Sequence, residues 1–311
     1  MNKNQINMGK RLFISFLCFF AWSITSANSS FLIPINHDHS LIYPSELQDT
    51  VKDQKTKNRK KFSFGSNKVT FDTFEQNYNK AINYYNKSSY LSAAQLFEQL
   101  YPLSIGTPYG DTILFLFADC YFKNRDYQLA AYHFKDYVRR YPGTPRTELA
   151  ALNCVKACYN VSPSYEVDQG DTKYAIEEIR DYINKYPNSP YINECNEMLD
   201  ELRNKLAQKD FEVIKLYYHT ENYKATQIMV RNFMKEFSYS KFAPEALFIL
   251  VKNNFDFASK SVDSKKKERF LACVEAYDAL SVQYPNSPFV AQAKKFYDQS
   301  LNQINIINTK N

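Results

Sequence analysis

Glycine is nearly missing from this chain, with 6 among 311 residues. That scarcity leaves no glycine-rich loop to cradle a phosphate and no nucleophile elbow. Histidine is as sparse, at 4 in all. Only His133 and His219 fall in the periodic part of the chain, so no paired-histidine metal helix can form. A single tryptophan excludes the Trp-rich platforms on which sugars stack. Of the six cysteines, Cys18 lies in an apolar leader. The other five (Cys120, Cys154, Cys158, Cys195 and Cys273) are odd in number and unpaired in spacing, which is no disulfide framework. Cys154 and Cys158 share a helical face and could hold two bonds of a metal. No third ligand lies nearby, so they read as small side chains buried at helix contacts. No cofactor and no catalytic set emerges.

The leader is basic and then apolar. Lys10-Arg11 precede the run from Leu12 to Ile24, and Thr25-Ser26-Ala27 close it with small residues. That order describes a secretory signal peptide over residues 1–27. Its apolar run is too short for the ~20 residues of a bilayer span. The formal charge of +6 drops to +3 once Lys3, Lys10 and Arg11 are set aside, since no acid lies in that leader. Near balance of this kind argues against nucleic acid as a partner. Residues 28–70 follow as a polar tether. Its stretch from Lys52 to Lys61 alternates lysines and arginines with polar residues, one acid and no apolar residue. Such a segment cannot bury enough surface to offset the entropy of ordering, and is expected to be disordered.

What is abundant is aromatic: 25 Tyr and 24 Phe in a chain that is 44% hydrophobic. From residue 71 these aromatics recur on a fixed period. Tyr141-Pro142, Tyr186-Pro187 and Tyr284-Pro285 each open a Pro-x-Ser/Thr-Pro turn, and Phe237 opens a fourth copy, Ser238-Tyr239-Ser240-Lys241, with its prolines lost. Proline ends a helix because it lacks the amide and clashes with the preceding turn. Twelve residues before each stop stands a small residue: Ala130, Ala175, Thr226 or Cys273. Eight before stand Phe134, Ile179, Val230 and Tyr277, and five before stand Tyr137, Tyr182, Phe233 and Leu280. Intervals of three and four put these residues on one helical stripe. Tyr90, Ala93, Phe97 and Leu100 make a first copy. A second helix precedes each one, its inner face clearest in Leu114, Phe117, Ala118 and Tyr121. The anchors from Leu114 to Pro142 fit the 34-residue tetratricopeptide pattern. The sequence therefore predicts an all-α tetratricopeptide-repeat solenoid over residues 71–304, of about five helix-turn-helix repeats plus a C-terminal capping helix from about residue 289. Inserts are expected near 159–171 and 259–267, and a flexible tail over 305–311. The basic cluster of the second insert (Lys260, Lys265, Lys266, Lys267 and Arg269) reads as a solvated loop.

Certain stretches are more specific than the repeat pattern. Ser162-Pro163-Ser164-Tyr165 with Asp168-Gln169, Lys185 through Tyr191, Leu202 through Ala207, Lys215-Leu216-Tyr217-Tyr218 and Tyr223-Lys224-Ala225 together resemble the BamD family, tetratricopeptide lipoproteins of the outer-membrane β-barrel assembly machinery. The resemblance implies a non-enzymatic scaffold at the periplasmic face of the outer membrane of a Gram-negative bacterium. It implies C-terminal repeats that dock on the POTRA domains of a BamA-like barrel protein, beside other subunits of that machinery. It also implies N-terminal repeats that receive the C-terminal segments of unfolded barrel substrates. Groove residues on that reading are Asn77, Tyr78, Tyr85, Phe115 and Asp119; partner-facing residues are Arg231 and Lys235. The family carries a lipid on a cysteine at its mature N-terminus. Here the leader cysteine is Cys18, with Ser15 and Leu17 standing where a lipidation motif has an apolar and a small residue. The alternative is another periplasmic tetratricopeptide adaptor, such as a Tol–Pal-linked cell-division coordinator. That class carries an N-terminal coiled coil, and no heptad run precedes residue 71.

Overall fold

A computed structural model describes residues 69–310. The leader, Cys18 and the tether through residue 68 lie outside the described residues. A short 3-10 turn at Phe71–Thr73 leads into eleven α-helices among the described residues, with no strand. They pair as α1 (Phe74–Asn86) with α2 (Tyr90–Ser104), α3 (Gly110–Lys123) with α4 (Tyr127–Arg140), and α5 (Thr147–Val161) with α6 (Gly170–Lys185). Two more pairs follow: α7 (Ile192–His219) with α8 (Tyr223–Glu236), and α9 (Ala243–Ser259) with α10 (Asp263–Gln283). Helix α11 (Pro288–Lys310) closes the array against α9 and α10. Five helical hairpins and a cap are the tetratricopeptide solenoid that the periodicity demands.

The stripe holds the array together. Ala93, Ala130, Ala175, Thr226 and Cys273 are all fully buried, so each second helix approaches its neighbours at the same level. Phe97, Phe134, Ile179 and Val230 fill the next turn and are also fully buried, while Tyr277 is half-buried. Burying side chains of this size stabilises by roughly 1.5–3 kcal/mol each. The tyrosines of the stripe have a further use. The Tyr137 hydroxyl lies 3.0 Å from Thr144 Oγ1, and that of Tyr182 lies 2.8 Å from Ser189 Oγ. Each ties its helix to the Ser or Thr of the proline turn that ends it. Phe233 and Leu280 keep the apolar contact without the tie.

Two glycines stand where a side chain is disfavoured, one by its backbone angle and one by its neighbours. Gly143 has φ +80°, in the region that L-residues avoid. A Cβ on Gly110 would sit 2.6 Å from Tyr141 Oη and 2.8 Å from the Ser104 carbonyl oxygen. The second repeat can therefore begin against the end of the first only because Gly110 has none.

Val69, the first described residue, is buried. The structure departs from the sequence expectation in two places, the second insert and the tail. The second insert is not a loop: only residues 260–262 link α9 to α10, and Lys265, Lys266, Lys267 and Arg269 lie in the first turns of α10. Asp263 in that first turn suits the helix dipole, and it pairs with Lys266 at 2.8 Å, as Lys265 does with Glu268 at 3.3 Å. The tail is helical as far as Lys310, because Ile304 and Ile307 pack with Ala258 and Phe270 in a small cluster of their own. Helix α7 runs 28 residues, about twice the length of its partner α8. One continuous core runs from Val69 to Leu202 and a second from Ala207 to Ala293. Among the described residues, helix α7 is the single element that enters both.

Candidate partner-binding surfaces

The first helices of successive repeats are joined by a recurring hydrogen bond. The Tyr85 hydroxyl on α1 donates to Asp119 Oδ2 on α3. Tyr159 on α5 donates to Glu201 on α7, and Tyr218 on α7 donates to Asp256 on α9 at 3.1 Å. Each tyrosine stands near the end of its helix and reaches a carboxylate one repeat on. Burial first, and the neighbouring Asp256 second, push the Tyr218 phenol up to about 12. The hydrogen bond to Glu201 raises Tyr159 to about 12 as well, with burial adding to it. A neutral phenol that donates to a carboxylate is the stronger kind of hydrogen bond. Tyr85 and Asp119, two of the expected groove residues, are thus each other's partners. Asp119 is also reached by Lys123 at 3.7 Å, and the Lys123 ammonium lies 5.8 Å from the Tyr85 ring.

The other three groove residues fall in different surroundings. Tyr78 joins an aromatic cluster at the mouth of the first two repeats. Its ring meets Tyr109 edge-on at 5.2 Å and stacks with Phe74 at 6.5 Å, while Phe74 and Tyr109 meet at 5.5 Å. Tyr109 is 42% exposed, and Phe71 just before the cluster is 74% exposed. Burial raises the Tyr78 phenol above its ordinary value, and Tyr109 adds to it. Beside this cluster, Arg146 pairs with Asp111 at 3.0 Å and donates to Thr112 at 2.9 Å. Asn77 turns back on its own helix, with Nδ2 donating to the Thr73 carbonyl at 2.8 Å. Phe115 packs inside the second repeat, edge-on to Phe134 at 5.7 Å and to Tyr137 at 5.6 Å. Sequence reasoning missed Phe74 and Tyr109, although both are aromatics at a helix start. His133 packs its ring on Phe117 at 4.4 Å and on Tyr121 at 5.4 Å.

The third-repeat insert, residues 162–169, is held on both sides. Gln169 is buried, and its Nε2 donates to the Ser164 carbonyl at 2.7 Å and that of Val167 at 3.0 Å. From α7, Lys205 reaches Ser162 Oγ at 2.7 Å and Lys209 reaches the Val167 carbonyl at 2.6 Å. A loop anchored in this way offers a fixed surface, with Val167 51% exposed at its tip.

In the C-terminal half, Arg231 and Lys235 are exposed on α8 and make no ion pair among the described residues. On the neighbouring α9, the Lys252 ammonium lies between two rings, 4.8 Å from Tyr218 and 4.9 Å from Phe248. No group of three His, Cys, Asp or Glu side chains among the described residues is placed to hold a metal ion. The five cysteines of the repeat region are buried as free thiols. No helix among the described residues is long and apolar enough to cross a membrane.

Comparison with known proteins agrees with this repeat architecture in extent. The profile of the family YfiO, described as outer membrane lipoprotein, matches residues 72–270. The outer membrane protein assembly factor BamD of Buchnera aphidicola is 23% identical over 157 residues, covering 47% of this chain and 63% of that protein. The protein of the same name from Caulobacter vibrioides is 24% identical over 115 residues, covering 37% of this chain and 38% of its own length. This chain thus spans less than two thirds of either relative. Among solved structures, the TPR2AB-domain:pHSP90 complex of yeast Sti1 shares 12% identity, with 74% of this chain and 98% of that one covered. Its TM-score of 0.35 is too low to bear on function. With the profile running from the first helix of the first repeat into the last helical pair, the chain belongs to the YfiO family of outer membrane lipoproteins and is BamD-like.

Proposed function

We propose that this chain is a non-enzymatic scaffold of outer-membrane β-barrel protein assembly, working at the periplasmic face of that membrane. The observation that carries the reading is the family profile over residues 72–270, which covers four repeats and enters the fifth of a solenoid, an architecture suited to protein contact. Two differently made surfaces support a division of labour. The first two repeats present an aromatic cluster of Phe74, Tyr78 and Tyr109 beside the Arg146–Asp111 pair. Aromatic side chains with polar neighbours suit a short extended peptide, as the C-terminal segment of an unfolded barrel protein would be. The fourth repeat presents Arg231 and Lys235 without acidic partners, which suits a folded domain with carboxylates on its face. On this reading that domain belongs to a BamA-like barrel protein.

Co-purification from detergent-solubilised outer membranes tests the proposal. Recovery of a BamA-like protein with the tagged chain is the expected result. Recovery of Pal in its place would transfer the chain to the cell-division adaptors, and recovery of neither in mild detergent would remove the assembly reading.

A further inference from the structure

Helix α7 passes from one core to the other where its apolar support is thinnest. Leu202 is the last residue buried in the first core, and Ala207 the first in the second. Between them Arg203 and Asn204 are exposed, and Lys205 and Leu206 only half-buried. The helix packs on α6 of the third repeat and on α8 and α9 of the last two. No proline or glycine interrupts it, so it has no built-in kink. Its part from Leu202 to His219 is a lever of ~25 Å, at about 1.5 Å per residue. A small change in the direction of that lever moves every repeat beyond it.

A polar stripe takes over at the crossing. Glu201, Lys205 and Lys209 recur at intervals of four, which sets them on one face of α7. All three are bonded to the third repeat, in chain order. Tyr159 at the end of α5 donates to Glu201, Lys205 donates to Ser162 Oγ at 2.7 Å, and Lys209 donates to the Val167 carbonyl at 2.6 Å. The last two acceptors lie in the insert. Every other hairpin links its helices through three residues (87–89, 124–126, 220–222 and 260–262), whereas this one uses the eight from 162 to 169. The added length is what reaches α7. A lysine ammonium only donates, so the Ser162 hydroxyl accepts from Lys205 and turns its own hydrogen to Thr172 Oγ1 at 2.7 Å. Thr172 donates in turn to Gln169 Oε1 at 2.8 Å, and the Gln169 amide holds the Ser164 and Val167 carbonyls. The donors thus run one way, from α7 into the buried centre of the insert, where Gln169 and Thr172 are 5% and 0% exposed. Burial lowers the Lys205 ammonium below its ordinary value, as expected of a charge drawn out of water into this contact.

We infer that the insert of the third repeat is a clasp on α7. Through Lys205 and Lys209 it holds the helix against the third repeat across the gap between the cores, and so sets the angle between the first three repeats and the last two. With the clasp open, α7 keeps its apolar hold only as far as Leu206 and bends from there. The aromatic cluster around Tyr78 and the cations Arg231 and Lys235 lie on opposite sides of this gap, so the clasp also sets their separation.

The test is double electron–electron resonance on the full chain, with spin labels on ketone-bearing unnatural residues that leave the native thiols alone. One label pair, at Gln99 and Asn286, spans the gap; a control pair, at Gln99 and Asn188, lies within the first three repeats. All three positions are exposed. Wild type is compared with two variants. Lys205→Met/Lys209→Met keeps the apolar stems and removes the donors, and Gln169→Leu unfastens the insert from within. Circular dichroism checks that the helices remain; if Gln169→Leu loses them, the lysine variant decides alone. Each variant is expected to widen the spanning distance distribution twofold or more and to leave the control pair at its wild-type width. A spanning distribution that keeps its wild-type width without the lysine donors would overturn the clasp. Equal widening of both pairs would overturn it as well, by showing a general loosening with no hinge at the gap.

Discussion

Two separate cores threaded by one helix lead to an unusual expectation for two otherwise similar substitutions. Phe134 and Phe233 are the large stripe residues of the second and fourth repeats, exposed by 0% and 1%. Phe134 packs among Phe115, Phe122 and the fully buried Tyr137; Phe233 packs against Phe211 at 6.4 Å and Phe237 at 5.4 Å. Replacing either by alanine removes the ring and leaves a cavity, at a cost of about 3–5 kcal/mol. In a compact domain that loss would be shared by every residue. In a repeat array, stability is closer to a sum of repeat terms and nearest-neighbour interfaces. The apolar continuity breaks between Leu202 and Ala207, so the loss should stay on one side of that break. Hydrogen exchange read by mass spectrometry decides the matter. Phe134→Ala should raise exchange in α1 to α6 and leave α9 to α11 near wild type, and Phe233→Ala should do the reverse. A loss of ~3 kcal/mol corresponds to roughly a hundredfold faster exchange in the affected half, where exchange goes through opening of that half. Uniform acceleration along the whole chain in both variants would refute the reasoning, because it would show the two cores to be one cooperative unit.

Other outcomes follow from named contacts. Gly110→Ala should destabilise by about 1–3 kcal/mol, read as a lower thermal midpoint, since its Cβ would meet the Ser104 carbonyl oxygen at 2.8 Å. Tyr85→Phe removes the donor to Asp119 and should cost about 1–2 kcal/mol in denaturant titration. The phenols of Tyr159, Tyr182 and Tyr218 are each pushed up to about 12. Their folded values thus exceed the ordinary value near 10, and the folded state holds protons that the unfolded state has lost. Stability should be intact below about pH 10 and fall progressively from there to about pH 12, with tyrosinate absorbance rising late and together with loss of helix. Burial raises the thiols of Cys120 to about 12 and of Cys195 and Cys273 to about 11. A thiol reagent at pH 8 should leave them unmodified in the native chain and label them on unfolding; fast labelling of the native chain would contradict their burial.

Much of this fold was legible because helices write their periodicity into the chain locally. An alanine, threonine or cysteine every repeat, with an aromatic or branched residue one turn on and proline at the end, specifies which face of a helix is buried before any partner is known. Ala130, Phe134 and Tyr137 could be assigned to a seam from spacing alone, and their burial agrees. The short proline turns likewise fixed where each pair ends. The second insert and the tail were misread for one reason: polar residues are silent about helix when their support comes from elsewhere. Lys265 and Lys266 gain it from acids one turn away, and Ile307 from residues some forty to fifty positions earlier in the chain.

The candidate surfaces were less legible, and the difference is one of range. Spacing along one helix says that Tyr85 and Asp119 face the same way, but not that the phenol donates to that carboxylate across a repeat. Nor does it say that Phe115 turns into the second repeat while Tyr78 meets Tyr109. By itself the sequence determined a stack of paired helices, its register and its buried stripe, all consequences of local period and of proline geometry. Only the tertiary structure decided that one long helix serves two cores and that the inner tyrosines bond to the next repeat. Those facts depend on the distance between residues thirty or more positions apart, which is set by how repeats pack and not by any one of them.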